Sequence, residues 1–206
     1  MKPIATLATL WALGLGITGN AQALTGPVIY SSEALDSLRF MIEEEKLAGD
    51  VYRAFGVLYP EVMPFKNIPK SEDTHFATLV AQAEGAGLDV SDLTSLGAAT
   101  FLNPDLQTLY GQLVAKGSTS RYAALTVGRD IELLDIDDLT AAQALVPADS
   151  SLYAAYGNLR SASYKHLNAF NTWLAMTPAP VPEPETYALL LAGLGLVGVM
   201  ARLQQS

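Results

Sequence analysis

Apolar residues are concentrated in two runs, one at each end of the chain, and recur at regular intervals in the long middle section. From about Ser31 to Met176 they return every three or four positions, which is the period of an amphipathic α-helix. No stretch of comparable length alternates as a β-strand would. The pattern therefore predicts an all-α bundle with four main helices and one or two short ones.

Caps, prolines and glycines set the expected helix boundaries. The first helix starts at Ser31-Ser32-Glu33, and prolines at 60, 64 and 69 predict a loop after it. The predicted helices are 31–58, a second from Pro69 or Ser71 to Gly85 or Gly87, 104–116 closed by Gly117, one from Ser118 or Ser120 to Leu134, 136–145, and a last one from Asp149 or Ser150 to Trp173. A loop rich in Gly, Ser and Asp is expected after the second helix.

The N-terminal apolar run has the layout of a secretory signal peptide. Met1-Lys2-Pro3 precedes an apolar stretch that ends near Ile17, and small and polar residues then lead to Ala21-Gln22-Ala23. A short positive region, an apolar core and an A-x-A site predict cleavage after Ala23. Residues 1–23 are therefore expected to direct the chain to the Sec translocase and to be removed by signal peptidase.

The C-terminal apolar run follows a proline-rich spacer. Prolines at 178, 180, 182 and 184 disfavour a helix, so residues 178–186 are predicted to form an extended linker. Residues 187–201 are uncharged and apolar, and Arg202 follows. We expect residues 187–206 to form a short transmembrane tail, with Arg202 on the cytoplasmic side and the body outside.

The order of features at this end resembles the PEP-CTERM sorting signal of Gram-negative bacteria. Pro182-Glu183-Pro184 is followed at once by the apolar span and Arg202. The resemblance implies recognition by an exosortase, cleavage near the motif, a transient stay in the inner membrane, and delivery to the cell surface or medium. It also implies an association with exopolysaccharide and biofilm. The alternative is an ordinary C-terminal anchor that stays in the membrane.

The composition limits the kinds of site and partner that we expect for the body, residues 24–177. The 206-residue chain has a formal net charge of −9 and contains no Cys. The absence of Cys excludes disulfides, thiolate metal sites and a Cys nucleophile. The acidic balance, without any run of Lys and Arg, argues against nucleic acid as a partner. An exported body of this kind holds together by packing, or by a metal bound through His and carboxylates.

Two helices carry polar residues within otherwise apolar stripes. In the last helix, Ser163 and His166 are the polar members of a stripe with steps of four and three: Leu152, Tyr156, Leu159, Ser163, His166, Phe170 and Trp173. In the first helix Glu45 lies on the inner face, between Leu38, Ile42, Gly49 and Tyr52. Glu43 and Glu44 are expected to face solvent. A carboxylate inside a core is costly unless it is paired or binds a metal.

Two further helices add candidate ligands. Glu72 and His75 form an E-x-x-H pair on one helix face, and Glu132 continues a stripe with Leu125 and Gly128. Four helices thus contribute five inward residues: Glu45, Glu72, His75, Glu132 and His166. This pattern is typical of a carboxylate-bridged dimetal site for iron or manganese. Ser163 occupies the position where a second E-x-x-H would have Glu, so the pattern is one carboxylate short.

The body resembles a ferritin-like family of unassigned biochemistry, domain of unknown function 2202, which is related in fold to rubrerythrin and bacterioferritin. The resemblance is carried by residues 43–52 (EEEKLAGDVY), 65–68 (FKNI), 71–75 (SEDTH), 106–110 (LQTLY), 127–132 (VGRDIE), 135–139 (DIDDL) and 163–167 (SYKHL). It implies a ferritin-like up-down four-helix bundle with Tyr52 near the metals. Ser163 departs from the full ferritin pattern.

Three functions remain open from these observations. The first is a metal-binding envelope protein with oxidase or peroxidase activity, in which Glu72 bridges two ions and His75 and His166 each cap one. Glu45 and Glu132 would then be terminal or bridging ligands, and Tyr52 a redox neighbour or a hydrogen-bond donor. The second, favoured by Ser163, is a structural or interaction protein of the cell-surface matrix.

A hydrolase is the third and weakest hypothesis, because the sequence contains neither a nucleophile motif nor H-E-x-x-H. The acidic residues Asp135, Asp137 and Asp138 are expected to be a solvated loop or a helix-start cap and not part of a site.

Overall fold

A computed structural model of the chain describes residues 28–179. The predicted signal peptide, sorting motif and apolar tail lie outside this range. Within it the chain forms α1 (Ser32–Leu58), α2 (Met63–Gly85), α3 (Ser91–Thr94), α4 (Pro104–Gly117), α5 (Arg121–Ala144) and α6 (Ser151–Met176). The all-α prediction is confirmed. None of these helices is both long and apolar enough to cross a bilayer.

Serine and asparagine caps define where the helices begin. The hydroxyl oxygens of Ser31, Ser120 and Ser150 each accept a hydrogen bond from the backbone N–H three residues later. The Asn103 side chain does the same for the first turn of α4. These contacts satisfy N–H groups that have no partner inside the helix. They confirm the predicted starts of α1, α4 and α6.

Two predicted boundaries are wrong. The second helix begins at Met63, with Pro69 in its interior, and does not start at Pro69 or Ser71. Pro64 is compatible with this start because the first helical turn needs no N–H donor. The segments predicted as 120–134 and 136–145 form one continuous helix, α5. The predicted Gly-, Ser- and Asp-rich loop contains the single-turn helix α3.

Pro69 has no N–H to offer the carbonyl of Phe65, one turn earlier. Gly56 of α1 lies against that carbonyl, and a Cβ built on Gly56 would be 3.1 Å from the Phe65 oxygen. The missing side chain at Gly56 therefore allows α1 and α2 to approach closely at the turn that the proline interrupts.

The four long helices pack as two pairs, α1 with α2 and α5 with α6, and the pairs meet through α1–α5 and α2–α6 contacts. α4 packs against α1 and α5. Two apolar clusters fill the core. The Phe170 cluster includes Tyr52, Phe55, Phe65, Leu125 and Phe170. The Leu152 cluster includes Leu38, Ile42, Leu79, Leu152 and Leu159.

Buried polar residues fall between the two clusters on every long helix. α1 and α6 pass from the Leu152 cluster to the Phe170 cluster, and α2 and α5 pass in the opposite direction. On each helix the change from one cluster to the other coincides with buried polar positions, which are Glu45 on α1, Glu72 and His75 on α2, Glu132 and Asp135 on α5, and Ser163 and His166 on α6. The fold therefore encloses a polar layer between two apolar ones.

Candidate metal centre

The polar layer brings together all five residues proposed from the sequence as ligands. They come from four helices, and each is at most 9% exposed: Glu45, Glu72, His75, Glu132 and His166. Their placement follows from the helical period, since each lies on the face of its helix that is turned toward the core. Burial of so many ionisable groups is unfavourable unless they compensate one another or bind a cation.

Glu72 lies at the middle of the group, between the two imidazoles. Its Oε2 is 2.8 Å from Nδ1 of His75, and its Oε1 is 2.9 Å from Nδ1 of His166. The two rings are nearly parallel, with centroids 5.6 Å apart. One carboxylate thus presents a different oxygen to each histidine.

A second carboxylate accompanies each histidine. Glu45 Oε2 is 3.2 Å from His75 Nδ1, and Glu132 Oε2 is 3.4 Å from His166 Nδ1. The residues form two groups of three, Glu45–Glu72–His75 and Glu72–Glu132–His166, and within each group one ligand atom per residue lies within 4.8 Å of the others. The groups share Glu72. Each could hold a metal ion.

Several atoms of this layer lack a hydrogen-bond partner among residues 28–179. They include Oε1 of Glu45, Oε1 of Glu72 and Nδ1 of His166. The last two are close together, yet they are not aligned as a hydrogen-bond donor and acceptor. An unpaired buried polar group costs about 1–3 kcal/mol, more if it is charged. Carboxylate oxygens and imidazole nitrogens without partners fit a divalent transition-metal ion.

The pKa directions reflect an excess of buried carboxylates. Burial, reinforced by Asp135 and Glu72, raises the pKa of Glu45 well above its ordinary value. Burial also raises the pKa of Glu132 to about 7 and that of Asp135 to about 6. For Glu72 burial is outweighed by the two histidines, which lower its pKa to about 2. For His166 the penalty of burial is outweighed by Glu132 and Glu72, and its pKa rises to about 9.

Tyr52 lies beside the centre, as the sequence suggested. Its side chain is fully buried, and its hydroxyl donates a hydrogen bond of 2.7 Å to Glu132 Oε1. The other oxygen of Glu132 is the one that faces His166. The Tyr52 ring packs against Phe170 with centroids 5.2 Å apart. Tyr52 therefore orients the Glu132 carboxylate from the apolar side of the layer.

Asp135 is a member of the polar layer that the sequence reasoning missed. The expectation of a solvated loop or helix-start cap is wrong, because Asp135, Asp137 and Asp138 all lie within α5. Asp135 is also buried, at 5% exposure, one turn after Glu132. Ser163 Oγ donates a hydrogen bond of 2.5 Å to Asp135 Oδ2. The signal was present in the spacing, because Glu132 and Asp135 are separated by three residues and so share a helix face.

Glu43 and Glu44 are also buried, at 6% and 3% exposure, so the expectation that they face solvent is wrong. Glu43 Oε2 accepts hydrogen bonds from the backbone N–H groups of Leu102 (2.6 Å) and Asn103 (3.1 Å), where α4 begins. Burial, with Asp135 and Asp138 nearby, raises the pKa of Glu44 well above its ordinary value. Glu43 is covered by the segment that leads into α4, whereas Glu44 lies beside Asp135 and Asp138 of α5.

Comparisons with known proteins identify the two parts of the chain. Residues 34–177 match DUF2202, an uncharacterized protein domain, and residues 180–204 match the PEP-CTERM protein-sorting motif. The chain is 39% identical over 144 residues to the uncharacterized protein MJ0754 of Methanocaldococcus jannaschii, which covers 68% of this chain and 74% of that protein. The match assigns a domain and an export motif without assigning a reaction.

The structure is similar to the crystal structure of hypothetical protein MJ0754 from Methanococcus jannaschii DSM 2661. The TM-score is 0.64 with 35% sequence identity, and the match covers 75% of this chain and 90% of that one. The helical body therefore has a counterpart of known structure.

Proposed function

The chain belongs to the DUF2202 family and carries a PEP-CTERM sorting motif, and we propose that it is an exported ferritin-like protein that binds a pair of iron or manganese ions. The observation that carries the proposal is the position of Glu72, which offers one oxygen to each of two histidines. A second carboxylate completes each half of the group. Oxidase or peroxidase activity is the reaction class that we infer for such a centre.

The helix directions support the ferritin-like part of this proposal. α1 and α2 run in opposite directions, as do α5 and α6, whereas α2 and α5 run the same way. The connection through α3 and α4 therefore has to travel back along the bundle. A single long crossover of this kind is a feature of ferritin-like four-helix bundles.

The ligand assignment follows the two groups of three. Glu45, Glu72 and His75 would hold one ion, and Glu72, Glu132 and His166 the other. Iron or manganese, when bound, would supply one-electron redox chemistry that the protein side chains lack. Tyr52 orients Glu132 through its hydroxyl, and the two apolar clusters limit the access of water to the layer.

Charge balance supports binding of two divalent ions. The imidazoles are neutral when they coordinate a metal. The layer then contains four carboxylates, Glu45, Glu72, Glu132 and Asp135, and Glu44 is buried next to them. Their formal charge of at least −4 favours the binding of divalent cations. Without metal, burial raises the pKa values of Glu45, Glu132 and Asp135, and repulsion from neighbouring carboxylates adds to the effect.

The PEP-CTERM motif implies export, with exosortase and the secretion machinery as processing partners. We propose that residues 1–23 and the tail at 187–206 are processing segments around the body at 24–177, with 178–186 as the linker. The body is then delivered to the cell surface or medium, where exopolysaccharide is a candidate partner.

Replacing Pro182, Glu183 and Pro184 by Ala should retain the protein in the membrane. Unchanged release would contradict the assignment of the sorting motif.

Metal analysis of the protein tests the metal proposal directly. The full chain is expressed with its own export signal, purified after export and loaded anaerobically with iron(II). We expect two equivalents of iron per chain by elemental analysis. Glu72→Gln should abolish most binding because both groups lose their shared ligand, and Glu132→Gln should remove one equivalent.

The matched control is Glu84→Gln, which changes an exposed carboxylate on the same helix as Glu72. This variant should bind as much iron as the parent. Less than a tenth of an equivalent in the parent protein would overturn metal binding, and would favour the alternative of a non-catalytic matrix protein.

A further inference from the structure

A cavity of about 300 Å³ lies between α1, α2 and the segment that contains α3, and it reaches the candidate metal centre. Glu45 and Glu72 line its buried end, whereas Glu132 and His166 are not part of its lining. Glu45 and Glu72 each have a buried carboxylate oxygen with no hydrogen-bond partner among the described residues. The cavity therefore adjoins one of the two groups of three, the one that includes His75.

The exposed end of the cavity is lined by two ion-paired cations and two carboxylates. Asp50 is 8% exposed and accepts hydrogen bonds from Lys46 Nζ (2.6 Å), Arg53 Nη1 (3.1 Å) and the backbone N–H of Ala99 (3.0 Å). Arg53 also pairs with Asp73, whose side chain is 64% exposed. Asp50 thus fixes both cations and holds the segment after α3 against α1.

The electrostatic balance of this cavity favours cations. Its charged lining consists of four carboxylates and two basic groups, which gives a formal charge of −2: Glu45, Asp50, Glu72, Asp73, Lys46 and Arg53. Both basic groups are already paired with carboxylates. A cleft whose lining has a net negative charge attracts cations and raises their association rate.

We propose that divalent cations enter and leave the metal centre through this cavity, past Asp73 and Arg53. The ion bound by Glu45, Glu72 and His75 then exchanges directly with solvent. The ion bound by Glu72, Glu132 and His166 shares only Glu72 with the cavity lining and exchanges more slowly. This inference rests on the proposed metal binding. It adds an entry route and a difference in exchange rate between the two ions.

The gap between α1 and α2 at this point depends on Gly49. A Cβ built on Gly49 would lie 3.1 Å from Arg53 Nη1 and 3.3 Å from Glu72 Cβ. A side chain there would press on both the arginine at the exposed end and the ligand at the buried end. The absence of a side chain at Gly49 leaves room for this end of the passage.

The kinetics of metal uptake by the metal-free protein test the route. Cobalt(II), followed by its visible absorption in a stopped-flow instrument, serves as the probe ion with the full chain purified after export. Asp73→Lys should slow uptake about tenfold at low ionic strength, and the difference should shrink with added salt. Asp73→Asn should give a smaller decrease. Neither variant should change the final number of bound ions, because Asp73 is not in either group of three.

Glu84→Lys is the control, because it makes the same change of charge at an exposed position of the same helix. It should load as fast as the parent. In the parent a chelator should remove one ion faster than the other. Equal uptake rates for Asp73→Lys and Glu84→Lys, with normal final binding, would overturn the route while leaving metal binding intact. Failure of every protein to bind cobalt would overturn both.

Discussion

Ser163 on α6 donates a hydrogen bond of 2.5 Å to Asp135 on α5, inside the layer that contains the candidate ligands. Ser163 occupies the position where Glu would complete a second E-x-x-H with His166. The carboxylate that α6 lacks is therefore matched by one that α5 supplies, one turn after Glu132. Counting carboxylates along single helices underestimates the negative charge of this centre.

The first prediction concerns Asp135→Asn. Ionised Asp135 is unfavourable in the metal-free protein because burial raises its pKa to about 6. Neutral Asn should therefore raise the free energy of unfolding without metal by about 2 kcal/mol at pH 8. The same change should weaken metal binding about tenfold, because loss of a residue that surrounds the ligands often has an effect of this size. Urea denaturation with chelator and a metal titration measure the two effects.

Asp137→Asn is the control for that experiment, since Asp137 is exposed on the same helix. Asp137→Asn should change neither the free energy of unfolding without metal nor the affinity for metal. A metal-free Asp135→Asn protein that is less stable than the parent would show that the carboxylate is favourable where it lies.

The second prediction is that the metal-free protein loses stability as the pH rises from 5 to 9. Glu132 and Asp135 have folded-state pKa values of about 7 and about 6, above their ordinary values, so ionising them on this rise costs stability. His166, with a pKa of about 9, contributes stability below about pH 6.5 that is lost as the pH passes 9. Glu72, with a pKa of about 2, has the opposite sign but titrates only at lower pH.

Denaturation at five pH values, with chelator and with saturating manganese(II), measures this dependence. Metal binding requires deprotonated ligands, so the stabilisation by metal should grow as the pH rises. A metal-free protein whose stability increases between pH 6 and 9 would contradict the charge balance described for the centre.

The third prediction concerns Glu43, which accepts two backbone N–H groups where α4 begins. Glu43→Ala leaves both donors without this partner and should lower the free energy of unfolding by about 2 kcal/mol. Glu43→Gln keeps an acceptor oxygen and should cost less. Metal content should be unchanged in both variants, because Glu43 belongs to neither group of three. Loss of metal from a folded Glu43→Gln protein would show that α4 positions the centre.

The fourth prediction concerns Gly128, which lies against Phe170. A Cβ on Gly128 would be 2.4 Å from Phe170 Cε1, so the ring must move. Gly128→Ala should reduce stability by about 1–3 kcal/mol through overpacking. Gly111→Ala is the matched control, because nothing lies within 4 Å of a Cβ there and a helical Ala is favoured by about 0.5–1 kcal/mol. Thermal unfolding of both variants should show changes of opposite sign.

Features that depend on local sequence were predictable. Ser31, Ser120 and Ser150 cap helices at the expected places because a cap acts on N–H groups only two or three residues away. The five candidate ligands were identified from helical spacing. Glu45, Glu132 and His166 interrupt apolar stripes, and Glu72 and His75 share a helix face as an E-x-x-H pair. Their convergence required only that each stripe face the core.

Features that depend on what packs against a helix were not predictable from the same signals. Glu43 looked solvent-facing because the N–H groups that donate to it belong to Leu102 and Asn103, about sixty residues away. Asp135 looked like part of an acidic surface run because its partner Ser163 lies on another helix. Pro69 predicted a loop, and the close packing of Gly56 against the Phe65 carbonyl accounts for a helix that continues through it.

α6, which carries His166, ends at Met176, only a few residues before the PEP-CTERM motif begins at residue 180. At 1.5 Å per residue, His166 lies about 15 Å along the helix from that end. Residues 177–186, even if fully stretched, could add no more than about 35 Å. In the proposed membrane-anchored stage, the candidate centre thus lies within about 50 Å of the lipid surface. Any ion or oxidant that it handles at this stage is drawn from the thin layer of solution next to the membrane.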